Sequence, residues 1–157
     1  MKPEIGITEN HLQKSIKSLS TLLADEMVLY IKTRKFHWNV SGASFMELHK
    51  LFQGQYAELE ETADAVAERI SKLGGRAIGT IDEFINLTRL EEAPDKYPSQ
   101  KEMLKELLDD YETVIVELRK DIEVSDDRAK DAGTTDFLTS IMKQHETTAW
   151  VLRRYLS

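Results

Sequence analysis

The stretch LQKSIKSLSTLLADEMVLYIKTRKFHW, residues 12–38, decides the fold. Its apolar residues fall at Leu12, Ile16, Leu19, Leu23, Met27 and Tyr30. Spacings of three and four place them on one stripe of an amphipathic helix. Seven residues past Tyr30 the same stripe reaches His37, so this imidazole points at whatever the helix packs on. The pattern predicts a helix over about residues 9–39.

Outward from it, Ser44-Phe45-Met46-Glu47 has the form of a capping box opening a second helix. Leu48, Leu51, Phe52, Leu59, Val66, Ile70 and Leu73 carry that helix to a stop at Gly74-Gly75. Thr80-Ile81-Asp82-Glu83 opens a short helix to about Leu90, and Pro94 and Pro98 interrupt the chain. Ser99-Gln100-Lys101-Glu102 caps a third long helix, through Leu104, Leu107, Leu108, Tyr111, Ile115 and Leu118 to about Val124. After the polar stretch 125–133, Thr134 or Thr135 caps a fourth, with Leu138, Ile141, His145, Ala149 and Leu152 as its stripe. No strand is expected. Four long helices make an all-α four-helix bundle. The 25-residue connection from Gly74 to Pro98 is too long for a tight hairpin and reads as a crossover carrying the short helix, as in ferritin-like folds.

Composition agrees. The 157 residues suit one domain spanning 1–157, with 41% hydrophobic and 31% charged residues. There is no cysteine, which excludes disulfides and thiolate metal sites and leaves histidine and carboxylate as ligands. No apolar run approaches the roughly 18 residues of a membrane helix. The start, MKPEIGITEN, lacks a secretory pattern, so a cytoplasmic protein is expected. The net charge of −7 favours cations over nucleic acid or an anionic membrane.

His37 and His49 flank the first helix–helix turn, and Asp64 and Glu68 share one face of the second helix at i and i+4. Each alone has an ordinary reading: a core histidine, an exposed histidine, a solvated acidic pair. Together they read as ligands for divalent iron or zinc. Fifteen residues separate His49 from Asp64, about 22 Å along a helix, so one chain cannot bring both to one ion. They lie only about 60° apart in direction. Antiparallel pairing of two copies of this helix, about an axis near residues 56–57, would bring His49 of each to Asp64 of the other. Gly54, costing about 1 kcal/mol in mid-helix, suits a close approach there.

HWNVSGASFMELH, followed by Asp64 and Glu68 and then LGGRAIGT, resembles the Dps family of mini-ferritins along nearly the whole chain. The resemblance implies a hollow homo-dodecamer that binds Fe(II) at dimer interfaces, oxidises it preferentially with hydrogen peroxide and stores ferric mineral. His37 and His49 match ligands from one subunit, and Asp64 and Glu68 match those of its two-fold mate, where zinc can substitute for iron. The family usually has an aspartate where this chain has Gln53, a neutral carbonyl donor, which implies weaker metal affinity. Trp38 matches a tryptophan that donates an electron beside the site. Asp131 and Asp136 match the segment lining acidic three-fold pores that admit iron. His11 and His145 are assigned structural roles, and Trp150 a core position. The alternative function is a DNA-coating nucleoid protein. Against it, the N-terminal residues carry only Lys2 ahead of Lys14, and the sequence ends at RRYLS with no lysine-rich tail.

Overall fold

The computed structural model describes residues 3–157. Met1 and Lys2, which enter the leader and tail readings above, lie outside the described residues. The helices are α1 (Glu9–Asn39), α2 (Phe45–Lys72), the short α3 (Ile81–Leu87), α4 (Gln100–Glu123) and α5 (Ala132–Leu156). A π-helical turn, Val124–Arg128, joins α4 to α5. Among the described residues there is no strand, and the architecture is the four-helix bundle the stripes predict.

Helices α1 and α2 form one antiparallel pair, with Tyr30 beside Tyr56 and Phe36 beside Phe52. In the other pair, α4 and α5, Arg119 bonds Glu146 and Arg153 bonds Glu112 across the outer surface. The stripes meet between the pairs. Leu19, Leu22, Leu29, Phe52, Val66, Ile70, Leu107, Leu118, Leu138 and Leu152 are all fully buried. Truncating a buried aromatic such as Phe52 to alanine costs about 3–5 kcal/mol. Trp150 departs from the sequence reading: it is 52% exposed. One residue past buried Ala149 is a rotation of about 100°, which carries the indole off the core stripe.

The ends of the helices show how local chemistry sets their length. Gly74 has φ +83°, and the Gly75 and Gly74 amides donate to the Ile70 and Ser71 carbonyls. That Schellman pair stops α2. The capping boxes of α3 and α4 form as read, Thr80 with Glu83 and Ser99 with Glu102. The one expected at Ser44 does not. Its backbone is not extended (ψ 27°), the side chain makes no capping bond, and Glu47 instead accepts from the Tyr155 hydroxyl at 2.7 Å. The cap of α5 is Asp131 rather than Thr134 or Thr135.

The crossover is tied down by one buried carboxylate. Asp25 accepts from the Thr88 hydroxyl (2.9 Å) and from the Arg89 amide (2.6 Å) and Nε (2.7 Å). Arg89 also reaches Asp121 on α4 at 2.9 Å. These bonds turn the chain after Leu87, so α3 ends there instead of continuing to Leu90. His145 is structural, as expected. It is buried on the α5 stripe, with Nε2 2.6 Å from Glu26 of α1 and its ring edge-on to Tyr111 of α4.

Candidate metal centre

The α1–α2 turn is short, so the last turn of α1 and the first turn of α2 lie side by side. This brings His37 and His49 face to face, ring centroids 3.7 Å apart and planes inclined by 20°. Their hydrogen bonds are reciprocal. His37 Nδ1 donates to the His49 carbonyl at 2.8 Å, and His49 Nδ1 donates to the His37 carbonyl at 2.9 Å. A carbonyl can only accept, so each Nδ1 carries its proton and each neutral ring keeps its lone pair on Nε2. Backbone bonds that fix tautomer and ring direction are the usual support of a metal-binding imidazole. His37 is 9% exposed, His49 is half-buried, and Phe45 flanks the His49 ring at 5.2 Å.

Gln53 sits exposed one helical turn after His49. Asp64 lies near the other end of α2, exposed, on a shallow groove lined by Leu23, Met27, Tyr30, Ala63 and Phe84. Beside it the α3 face is apolar and open, Ile81 being 61% and Ile85 48% exposed. Glu68 bonds Lys72 at 2.8 Å, which holds its carboxyl below the usual range. The single chain therefore brings His37 and His49 together and leaves Asp64 and Glu68 apart from them. Among the described residues no three histidines or carboxylates converge as a metal site.

Two pore assignments separate. Asp136 is exposed. Asp131 is buried, and its carboxylate is fully engaged. It accepts from the Thr134 amide (3.0 Å) and hydroxyl (2.6 Å) and pairs with Arg69 of α2 at 3.0 Å. Burial would raise its carboxyl, but the Thr134 bonds and Arg69 outweigh it and hold it below the ordinary value of 3.8. Asp131 thus locks α5 onto α2 and is withdrawn from any pore lining.

Sequence reading passed over Tyr56 and Arg34. Tyr56 meets His37 edge-on at 5.2 Å. The Arg34 guanidinium lies 4.5 Å from the Tyr56 ring centroid and 5.5 Å from that of Trp38. Their signal was spacing: Tyr56 follows His49 by seven residues and Arg34 precedes His37 by three, both same-face positions.

This bundle with a crossover helix and an imidazole pair at one end defines a ferritin-like protein, and the ferritin-like domain model matches residues 16–157. Similar sequences and structures narrow the class. A low temperature-induced protein of Nostoc is 41% identical over 152 residues, covering 97% of this chain and 85% of the relative. DNA protection during starvation protein 2 of Bacillus anthracis is 36% identical over 143 residues, covering 90% and 96%. Among solved structures, DpsC of Streptomyces coelicolor superposes with a TM-score of 0.95 at 30% identity, covering 100% of this chain and 91% of that one. The Dps protein of Vibrio cholerae, described as a ferritin-like diiron-carboxylate protein, gives 0.93 at 28% identity, covering 99% and 97%. The chain belongs to the Dps family.

Proposed function

We propose that the protein is an iron-sequestering ferroxidase. Fe(II) binds between His37 and His49 of one subunit and the partner subunit's Asp64 and Glu68, in a homo-dodecameric cage. The observation that carries this reading is the reciprocal bonding of His37 and His49, which leaves each imidazole only Nε2 to offer. Three further features favour a second copy as the source of the carboxylates. Among the described residues Asp64 and Glu68 join no histidine in a metal-binding group, and Asp64 lies on a largely apolar groove open to solvent. Gly54 has nothing within 4 Å of where a Cβ would stand, leaving room for another helix.

In this reading hydrogen peroxide takes two electrons, one from each of two ferrous ions or one from iron and one from the protein, and leaves as water. Ferric iron passes into the cavity as mineral. Neutral imidazoles and anionic oxygens suit iron, and zinc competes for the same donors. Gln53 contributes at most a neutral oxygen, and Asp136 belongs to the pore that admits iron. Among the described residues no helix is long and apolar enough to cross a membrane.

Peroxide added to anaerobic protein and Fe(II) tests this. The expected result is a soluble ferric core with little hydroxyl radical trapped. Unchanged iron oxidation in the His37→Ala/His49→Ala double variant overturns the site. A gel-shift at physiological salt separates the DNA-coating alternative, and no retardation is expected.

A further inference from the structure

The crossover leaves a cavity of about 190 Å³ between the last turns of α1 and the chain that leads into α4. Ile31, Phe36 and Pro94 give it apolar walls, and Lys35, Lys96 and Glu92 stand around it. Lys32 also reaches the lining, but it is buried and its charge is matched inside the protein. Its ammonium bonds the Glu91 carbonyl (2.7 Å) and Asp110 (2.6 Å) and pairs with Glu106 at 3.2 Å.

Lys35 and Lys96 differ from it. Lys35 donates to the Ala93 carbonyl at 2.9 Å and rests 5.0 Å from the Tyr97 ring centroid, which holds its ammonium at the cavity. An ammonium has three hydrogens, so others remain to be offered. Among the described residues Lys96 has no hydrogen bond or ion pair, and exposed Glu92 pairs with no cation. Two ammonium groups with uncommitted hydrogens therefore stand against one carboxylate. That is a local excess of positive charge in a chain of net charge −7. Beside apolar walls, it suits a molecule with an anionic head and an apolar body. The volume lies below the roughly 300–1,000 Å³ of sites for drug-sized ligands, so the body is a single ring or a short chain.

We propose that this cavity binds a small organic anion, its carboxylate or phosphate head on Lys35 and Lys96 and its body against Ile31, Phe36 and Pro94. The occupant joins the last turns of α1 to the chain entering α4, across a seam that Lys32 and Lys35 already close at Glu91 and Ala93. Glu92 opposes the head by like charge. No metal takes part, so the site stands apart from the iron reading.

The test is fluorine-19 magnetic resonance of 4-fluorobenzoate and 4-fluorophenyl phosphate with the metal-free full assembly, because a small molecule's signal broadens when it joins a large particle. Saturable broadening is expected, with little from neutral 4-fluorobenzyl alcohol, and the tighter probe identifies the head. Lys35→Gln and Lys96→Gln should each weaken binding about fivefold, the effect of a unit charge about 4 Å away at the dielectric of water. Glu92→Gln should tighten it. Lys96 and Glu92 are exposed and unbonded, so their variants keep the test decisive even if Lys35→Gln fails to fold. Broadening that does not saturate, is matched by the alcohol, or is unchanged in Lys96→Gln overturns the proposal. Displacement of the probes by an equal concentration of inorganic phosphate overturns the part given to the apolar walls.

Discussion

His37 and His49 hold each other: each Nδ1 donates to the other's carbonyl, and the rings stack 3.7 Å apart. The arrangement pre-orients two imidazoles for the proposed site; both acceptors are backbone carbonyls, so replacing one side chain takes away one donor and one stacking face and leaves the other ring's orienting bond in place. His49→Ala is expected to weaken binding by more than the roughly 10–100-fold typical of losing an orienting partner alone. Titration calorimetry with Zn(II), which needs no oxidant, measures it. A change of less than about threefold would separate the pair from the metal.

Gln53 lies one turn beyond His49 on the same face. Gln53→Asp adds a charge where the chain now offers a neutral carbonyl. A unit charge about 4 Å from a counter-charge contributes about 1 kcal/mol even at the dielectric of water, roughly fivefold in affinity. Tighter Zn(II) binding and faster peroxide-driven iron oxidation are expected. Equal affinity in the variant would place Gln53 outside the coordination sphere.

Most of the bundle was legible because a helical stripe is a one-dimensional signal: Leu12 to His37 on α1 and Leu138 to Leu152 on α5 bury the faces their spacing predicts. Capping chemistry was legible in part. Thr80-x-x-Glu83 and Ser99-x-x-Glu102 close their boxes, while Ser44-x-x-Glu47 has the residues without the extended backbone. Asp131 was misread because a buried cap and an exposed pore carboxylate look alike in sequence; only its partner Arg69, 62 residues away, distinguishes them. The reciprocal histidine bonds end on backbone carbonyls, which no residue pattern encodes. The proposal that the carboxylates come from a second chain rests on helix geometry, since about 22 Å along α2 keeps Asp64 from His49 within one chain.

Asp131 carries a pH dependence of defined sign. Its carboxyl is held below 3.8 in the folded chain, so as pH falls through that region the unfolded chain takes up the proton first. Stability therefore rises with pH there, is fully present above 3.8, and is lost as pH drops through the folded value. Asp131→Asn keeps a capping oxygen but removes the charge facing Arg69. A loss of about 1.5–3 kcal/mol at neutral pH is expected, the range for hydrogen bonds to charged groups. The acid limb of its stability curve should be flatter. Denaturant unfolding at neutral and acidic pH checks both, and parallel curves for variant and parent would remove Asp131 from the acid response.

The intersubunit centre can be tested by complementation. One variant carries His37→Ala/His49→Ala and the other Asp64→Ala/Glu68→Ala; each forms assemblies in which every site lacks one half. When the two are refolded together, a mixed dimer pairs the second variant's histidines with the first variant's carboxylates. That rebuilds one intact site and leaves the other doubly defective. Random mixing puts half the chains in mixed dimers, so about a quarter of the sites return across a two-fold interface. Zn(II) capacity and iron oxidation should both recover to about that fraction. If each chain instead folded its own carboxylates onto its own histidines, every site would still lack one half after mixing. No recovery, with mixed assemblies verified by mass, would return the carboxylates to the solvated surface and leave the two imidazoles to bind metal without them.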